Sequence, residues 1–186
     1  MHSATVKIKG VSPYSGSGFF QSSRDDKETH DDFEKRCWRE RAHHQDGEVF
    51  IPPMAFKWCI QRAAEIRSDK IPGKNRQTYT KHFKSGVLCT EPVFIGVKLD
   101  DMEPDWIMAN ADGKRGSGTR VPRCFPTARK WSGTVRFDIF DDTITREVFE
   151  RTLIDAGMYV GVGMHRPENG GYKGRFSAEL VKWEEA

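Results

Sequence analysis

The chain has 186 residues, of which 37% are hydrophobic and 31% are charged, so it can bury one core and fits a single domain. It has no apolar run of membrane-spanning length and no apolar stretch after Met1 that resembles a signal peptide, which predicts a cytoplasmic protein with no membrane partner. The net charge of +3 alone does not indicate a nucleic-acid partner.

The first half of the chain predicts three strands and a helix. Residues 5–11 alternate apolar and polar side chains, as a half-buried strand does. Residues 49–66 predict a short strand and then a helix, because Pro52 and Pro53 suit a first helical turn and the apolar residues that follow share one face. Residues 86–99 are rich in β-formers and are interrupted by Pro92.

The second half predicts a strand, a helix and a closing hairpin. Residues 132–141 alternate again, and Thr145 is the N-cap candidate of a helix that is expected to stop at Gly157. Residues 158–163 and 174–183 predict strands on either side of a glycine-rich loop.

The predicted order β, α, β, β, α, β indicates an α+β fold with a ferredoxin-like or RRM-like core. We expect one domain over residues 1–186, with long loops or a β-hairpin inserted at about 21–48 and 68–131. Residues 24–48 mix acids and bases and predict a solvated insertion or an amphipathic helix.

Positive charge is concentrated in two segments with interleaved aromatic residues. Residues 68–84 carry five cations against Asp69, and residues 113–131 carry six cations and no acid. Cations neutralise phosphates while bases stack on rings, so these segments predict contacts with a single strand. The alternative is that both are ordinary surface loops. The candidate contact residues are Lys74, Arg76, Lys81, Arg120, Arg123, Arg129 and Lys130.

The loop "GVGMHRPENGGYKGRF", residues 161–176, holds five glycines and several cations. Gly170 and Gly171 would let the backbone approach a sugar-phosphate chain, and Arg166, Lys173 and Arg175 would bond its oxygens. No nucleotide-binding signature is present, so no cofactor is predicted. The alternative is a glycine-rich hairpin with ordinary surface cations.

Catalytic and metal-binding patterns are weaker. The four cysteines lie far apart without a CxxC, which predicts reduced, buried thiols. Cys37, His43 and His44 lack a fourth zinc ligand, so no metal is predicted. The one acid–base pair in a basic segment is His82 with Tyr79 or Lys81. A protein with no catalytic residue is therefore the main prediction, and a metal-independent ribonuclease that uses this pair is the alternative.

Residues 49–65, with a strand end, two prolines and an early helical cation, resemble an element of the RAMP superfamily of CRISPR-associated proteins. Residues 144–181 resemble that superfamily's second helix, glycine-rich loop and last strand. The closest type is the backbone subunit, which implies an RRM-like palm, a β-hairpin thumb and polymerisation along guide RNA. Phage and plasmid genomes also carry solitary proteins of this shape.

The resemblance implies a phosphate contact for Lys57, which matches the early helical cation. Some backbone subunits cut target RNA with an aspartate after the first strand. Asp25 and Asp26 lie in that region, but no motif selects either of them, so the role is not transferred.

The combined hypothesis is a non-catalytic protein that binds single-stranded RNA, or else DNA, and self-associates along the strand or joins a multisubunit ribonucleoprotein in antiviral defence. The alternatives are a RAMP-like endoribonuclease and a phage protein that mimics a CRISPR subunit and interferes with its assembly. Binding is expected to neutralise about four to six phosphates and to be independent of base sequence.

Overall fold

The computed structural model describes residues 1–110 and 118–185. Within these ranges the strands are β1 (His2–Gly10), β2 (Tyr14–Ser15), β3 (His44–Gln45), β4 (Glu48–Ile51), β5 (Val87–Leu88), β6 (Val93–Lys98), β7 (Glu103–Asn110), β8 (Arg120–Ala128), β9 (Ser132–Ile139) and β10 (Phe176–Glu185). The helices are α1 (His30–Cys37), α2 (Pro53–Arg67), α3 (Thr80–Gly86) and α4 (Arg146–Asp155).

The largest sheet has the strand order β10-β1-β9-β5, and every neighbouring pair is antiparallel. The alternation predicted for the first strand is present, because Ala4, Val6 and Ile8 are buried while Lys7 and Lys9 face away from the core. Two smaller antiparallel sheets have the orders β2-β8-β7 and β3-β4-β6.

Helices α2 and α4 cover the apolar face of the largest sheet. The ring of Phe56 lies 5.7 Å from that of Phe176, and the ring of Phe149 lies 5.4 Å from that of Phe137. Thr145 caps α4 by accepting a hydrogen bond from the backbone N–H of Val148. The class is therefore α+β with antiparallel sheets, as predicted, and no described helix is long and apolar enough to cross a membrane.

The closing hairpin predicted for residues 158–163 and 174–183 is not formed. The chain continues past Gly157 in a π-helical turn, Ala156–Val160, which Gly161 ends with a φ of 72°. Strand β10 pairs with β1 instead. A short run of valines and glycines after a helix fits either structure, so periodicity alone cannot separate them.

The cationic segment 113–131, expected within a long loop or an inserted β-hairpin, contains strand β8, which pairs with β7 from Arg120 to Thr127. The N–H of Cys124 points away from β7, since it bonds to the Glu34 carboxylate. Pro122 and Pro126, two residues to either side, share that orientation, so neither removes a bond to β7. Lys114 and Arg115 of this segment lie outside the described residues.

All four cysteines are buried and free of disulfide bonds, as predicted.

Candidate nucleic-acid interface

The glycine-rich loop, residues 161–175, is folded against itself. The N–H of Gly171 donates to the carbonyl of Arg166 at 3.1 Å, and that of Lys173 donates to the carbonyl of His165 at 3.0 Å. The N–H of Gly174 bonds to Pro13, in the turn between β1 and β2, at 2.7 Å. These N–H groups therefore hold the loop together and are not free for phosphate.

The glycines of this loop serve different purposes. A Cβ on Gly171 would overlap the carbonyl oxygen of His165, and a Cβ on Gly174 would overlap that of Val162. Gly170 has a φ of 79° but faces open space. Gly171 is thus required by packing, whereas Gly170 lies at the exposed tip, where no neighbouring atom of the chain blocks the approach of a ligand.

We expect Gly171→Ala to lower the free energy of unfolding by about 1–3 kcal/mol, because the backbone must shift to remove the overlap with His165. Gly170→Ala is the matched control, and its left-handed backbone should cost about 1 kcal/mol. Urea denaturation of both variants measures the difference. Equal stabilities would show that the loop yields easily at Gly171.

Lys173 joins the loop to the β7–β8 hairpin. Its side chain is buried, and its ammonium group pairs with Asp105 on β7 and lies 3.2 Å from the hydroxyl of Thr127 on β8. Arg175 donates to the carbonyls of Met158 and Tyr172. These two predicted contact residues are thus engaged within the chain, and Lys173 in particular has no exposed surface to offer a strand.

A groove of about 730 Å³ separates the loop from the hairpin. Three residues selected from the sequence, Arg120, Arg123 and Arg166, converge on it. Met108 and Phe125 supply apolar wall, and the ring of Phe125 meets that of His165 edge to face at 6.1 Å. The structure therefore brings one cation-rich segment and the glycine-rich loop to the same concave surface.

A buried carboxylate organises the cations on the hairpin side. Glu34 on α1 is fully buried and accepts two bonds from Arg41 at 2.8 and 2.9 Å, one from Arg123 at 2.8 Å and one from the N–H of Cys124 at 2.9 Å. Two guanidinium groups face one carboxylate, so this cluster keeps one positive charge at the groove. The segment that was expected to be a solvated insertion or an amphipathic helix thus contains a helix, α1, that packs against β8.

Burial by itself raises the pKa of Glu34, but the bonds from Cys124, Arg41 and Arg123 outweigh it and hold the pKa below its usual value. The carboxylate is therefore charged at neutral pH. Sequence reasoning missed Glu34 and Arg41. What distinguishes them from the solvated charges around them is their bonding to Cys124, which lies 90 residues from Glu34 and 83 residues from Arg41.

The other cationic segment forms a separate surface. Arg76, Lys81 and Lys84 border a cavity of about 490 Å³ beside the end of α2, and Lys74 is exposed in the adjoining turn. Lys74, Arg76 and Lys81 are thus brought near one another. Helix α2 lies between this surface and the groove, since its Lys57 contacts α3 and its Arg62 contacts Glu168 of the loop.

Lys57 is buried and does not face either surface. Its ammonium group donates to Gln61 at 2.7 Å and to the carbonyl of Lys84 at 2.5 Å. Burial lowers its pKa, and the nearby charge of Lys84 adds to the effect. Lys57 therefore satisfies a carbonyl near the end of α3, and a phosphate could reach it only after α3 moved.

Arg129 and Lys130 are exposed in the turn between β8 and β9, and neither lines the groove. Arg129 pairs with Glu103 at 2.6 Å on the surface. The outward face of the largest sheet carries Lys7, Lys9 and Arg136, and no aromatic side chain lies on that face within strands β1, β9 and β10.

The candidate catalytic residues are not assembled around a substrate site. His82 Nδ1 lies 2.6 Å from Asp141, and its Nε2 is buried with no partner among the described residues, while Tyr79 is buried. Asp25 and Asp26 are exposed just before α1 and do not line the groove. In residues 1–110 and 118–185, no group of three or more His, Cys, Asp or Glu side chains could hold a metal ion.

The chain matches no protein-family model and no curated protein. A chain of the Type III-B Cmr-beta complex, solved bound to cognate target RNA, aligns with 98% of it at 16% identity and a TM-score of 0.51, and this protein spans 60% of that chain. Cmr6 from Pyrococcus furiosus aligns over 96% of this chain and 99% of its own, at 15% identity and a TM-score of 0.49.

A chain of a CRISPR RNA-guided surveillance complex aligns over 94% of this protein and 66% of its own length, at 11% identity and a TM-score of 0.39. At these sequence identities, structural similarity is evidence for the fold alone. That evidence comes from the Cmr-beta chain, with its TM-score of 0.51. The protein therefore shares the fold of that chain of the Type III-B Cmr-beta complex.

Proposed function

We propose that this protein binds single-stranded RNA in the groove between the glycine-rich loop and the β7–β8 hairpin, as a non-catalytic subunit of a CRISPR-type ribonucleoprotein. The observation that carries the proposal is the convergence of Arg120, Arg123 and Arg166 on one concave surface. One guanidinium group can donate two parallel hydrogen bonds to the oxygens of a phosphate, so three guanidinium groups along a groove suit a sugar-phosphate chain.

The charge balance of the groove supports a polyanionic ligand. Arg120 donates to the backbone carbonyl of Met108, which is a neutral acceptor and leaves the charge of the guanidinium group in place. Glu34 offsets one of the two guanidinium groups of Arg41 and Arg123, and the pair of Lys173 with Asp105 is neutral. Phosphate contacts position a strand without reading its bases, so we expect little sequence preference.

The architecture supports the same proposal. We assign β1, α2, β5, β9, α4 and β10 to a ferredoxin-like βαββαβ core, because the sheet order places the fourth strand beside the first and the third between the first and second. Residues 21–48, and residues 68–131 apart from β5, are then insertions into one domain, and they supply α1, α3 and the hairpin. The Cmr-beta chain of similar fold comes from a complex that contains target RNA.

The second surface, with Lys74, Arg76 and Lys81, would extend the path of the strand or contact a neighbouring subunit. Self-association along the RNA and a cytoplasmic location are parts of this proposal. The proposal keeps four residues as outer contacts with the strand. They are Gly170 and Arg175 on the glycine-rich loop, and Arg129 and Lys130 at the base of the hairpin.

The test is purification of the protein without nuclease, followed by the absorbance ratio and sequencing of any bound nucleic acid. The proposal predicts copurifying RNA that ribonuclease removes and deoxyribonuclease does not. A protein free of nucleic acid that also fails to shift single-stranded RNA on a gel would contradict it. Metal-independent cleavage would favour the endoribonuclease instead, and capture of a CRISPR complex without RNA binding would favour the mimic.

A further inference from the structure

A half-buried tryptophan lies beside the proposed RNA path. Trp58 is in the second turn of α2, and 36% of its surface is exposed. The guanidinium group of Arg166 lies 4.3 Å from the centre of its ring. A cavity of about 310 Å³ opens next to both side chains, and it is lined by Ala55, Trp58, Gly161, Val162, Gly163 and Arg166.

This cavity adjoins the groove, because Gly163 and Arg166 line both. A strand that follows the groove towards α2 would therefore pass Trp58. Gly163 has a φ of 80°, and a Cβ there would lie 2.5 Å from the carbonyl oxygen of Ser15, so no side chain narrows the passage at this point.

Arg166 is held in its orientation from three sides. Its Nε lies 3.4 Å from Glu168, its Nη1 donates to the carbonyl of Gly163 at 3.2 Å, and its guanidinium lies over the ring of Trp58. Glu168 is itself held by Arg62 at 2.5 Å. A cation fixed over one face of a partly exposed ring, at the end of a cationic groove, offers a phosphate contact next to the exposed part of the ring, which is a stacking surface.

We propose that Trp58 stacks against one unpaired base of the bound strand, with Arg166 as the neighbouring phosphate or base contact, and that this position makes the site selective for single strands over duplexes. The inference rests on the proposed RNA-binding function. In a duplex the bases are paired and stacked on one another, so none can enter the cavity, whereas a single strand can turn one base out.

The chain supplies a matched control. Trp106 on β7 is 42% exposed, similar to Trp58, but it lines neither the groove nor the cavity. If Trp58 only supported Arg166, then its loss would weaken phosphate binding whether or not the ligand carried bases. Abasic RNA, which keeps the sugar-phosphate chain, separates the two roles.

The experiment measures dissociation constants of wild type, Trp58→Ala, Trp58→Phe and Trp106→Ala for a uridine-rich single-stranded RNA, the same RNA with abasic positions, and an RNA duplex. Trp58→Ala should weaken binding of the intact single strand about 5- to 150-fold, the range measured for one base–aromatic stack. Trp58→Phe should retain most of the affinity. Trp106→Ala should bind as wild type does.

Wild type should bind the abasic strand and the duplex about as weakly as Trp58→Ala binds the intact strand. The salt dependence of Trp58→Ala should match that of wild type, since no phosphate contact is lost. Three outcomes would overturn the stacking inference while the RNA-binding proposal stands. Trp58→Ala could lose the same affinity for intact and abasic RNA, it could lose no affinity, or wild type could bind duplex and single strand equally. Absence of binding by wild type would overturn both.

Discussion

Glu34→Ala is expected to lower the free energy of unfolding by about 3–5 kcal/mol, because it leaves the buried guanidinium group of Arg41 without its carboxylate partner. The variant also removes the acceptors of Arg123 and of the Cys124 N–H. Chemical denaturation of wild type and variant measures the loss.

Two controls isolate the cause. Glu103→Ala removes a carboxylate that is half exposed and paired with Arg129, and it should leave stability unchanged. The double variant Glu34→Met/Arg41→Met should recover much of the loss, since it removes both buried charges together. A Glu34→Ala variant as stable as Glu103→Ala would show that the buried carboxylate is dispensable.

The contribution of Glu34 should also depend on pH. Its pKa is below the usual value in the folded protein, so its stabilisation is fully present above the unfolded pKa of about 4.3 and is lost as the pH falls through the folded pKa. The difference in stability between wild type and Glu34→Ala should therefore be constant near neutrality and shrink below about pH 4.

Arg120→Glu/Arg123→Gln should weaken binding of single-stranded RNA about 100-fold at about 0.1 M salt. The variant changes the charge of the groove by three units, and each phosphate contact contributes about 0.7 to the slope of log affinity against log salt concentration. Glutamine is chosen at position 123 because a glutamate there would face the buried Glu34. Fluorescence anisotropy of a labelled strand measures the change.

Arg136→Glu/Lys182→Gln makes the same change in net charge on exposed residues of the largest sheet that do not line the groove. It should weaken binding only slightly, since exposed charges beyond a Debye length are screened. Equal effects of the two double variants would mean that overall charge, and not the groove, controls binding.

The elements that cover the core could be predicted from the sequence. Strand β1 and helix α4 carry apolar side chains at the spacing of their own secondary structure, and Thr145 marks the start of α4. The extent of β8 could not be predicted, because the tolerance of Pro122 and Pro126 depends on which way their positions face in the hairpin.

The site was predictable in part. Arg120, Arg123 and Arg166 are conspicuous as cations near glycines and prolines, and all three reach the groove. Lys57 and Lys173 look the same in sequence, yet both are buried by partners from distant segments, and no local pattern distinguishes them. Trp58 was overlooked because an aromatic residue in an amphipathic helix normally belongs to the core.

The most direct test of the groove as an RNA site is the salt dependence of the affinity of wild type for a single strand of mixed sequence. Neutralisation of about four to six phosphates predicts a log–log slope of about −3 to −4, with little difference between strands of unrelated sequence. Arg120→Glu should make the slope shallower by about 1. A flat response of wild type to salt, or a slope that Arg120→Glu leaves unchanged, would contradict electrostatic binding of RNA in the groove.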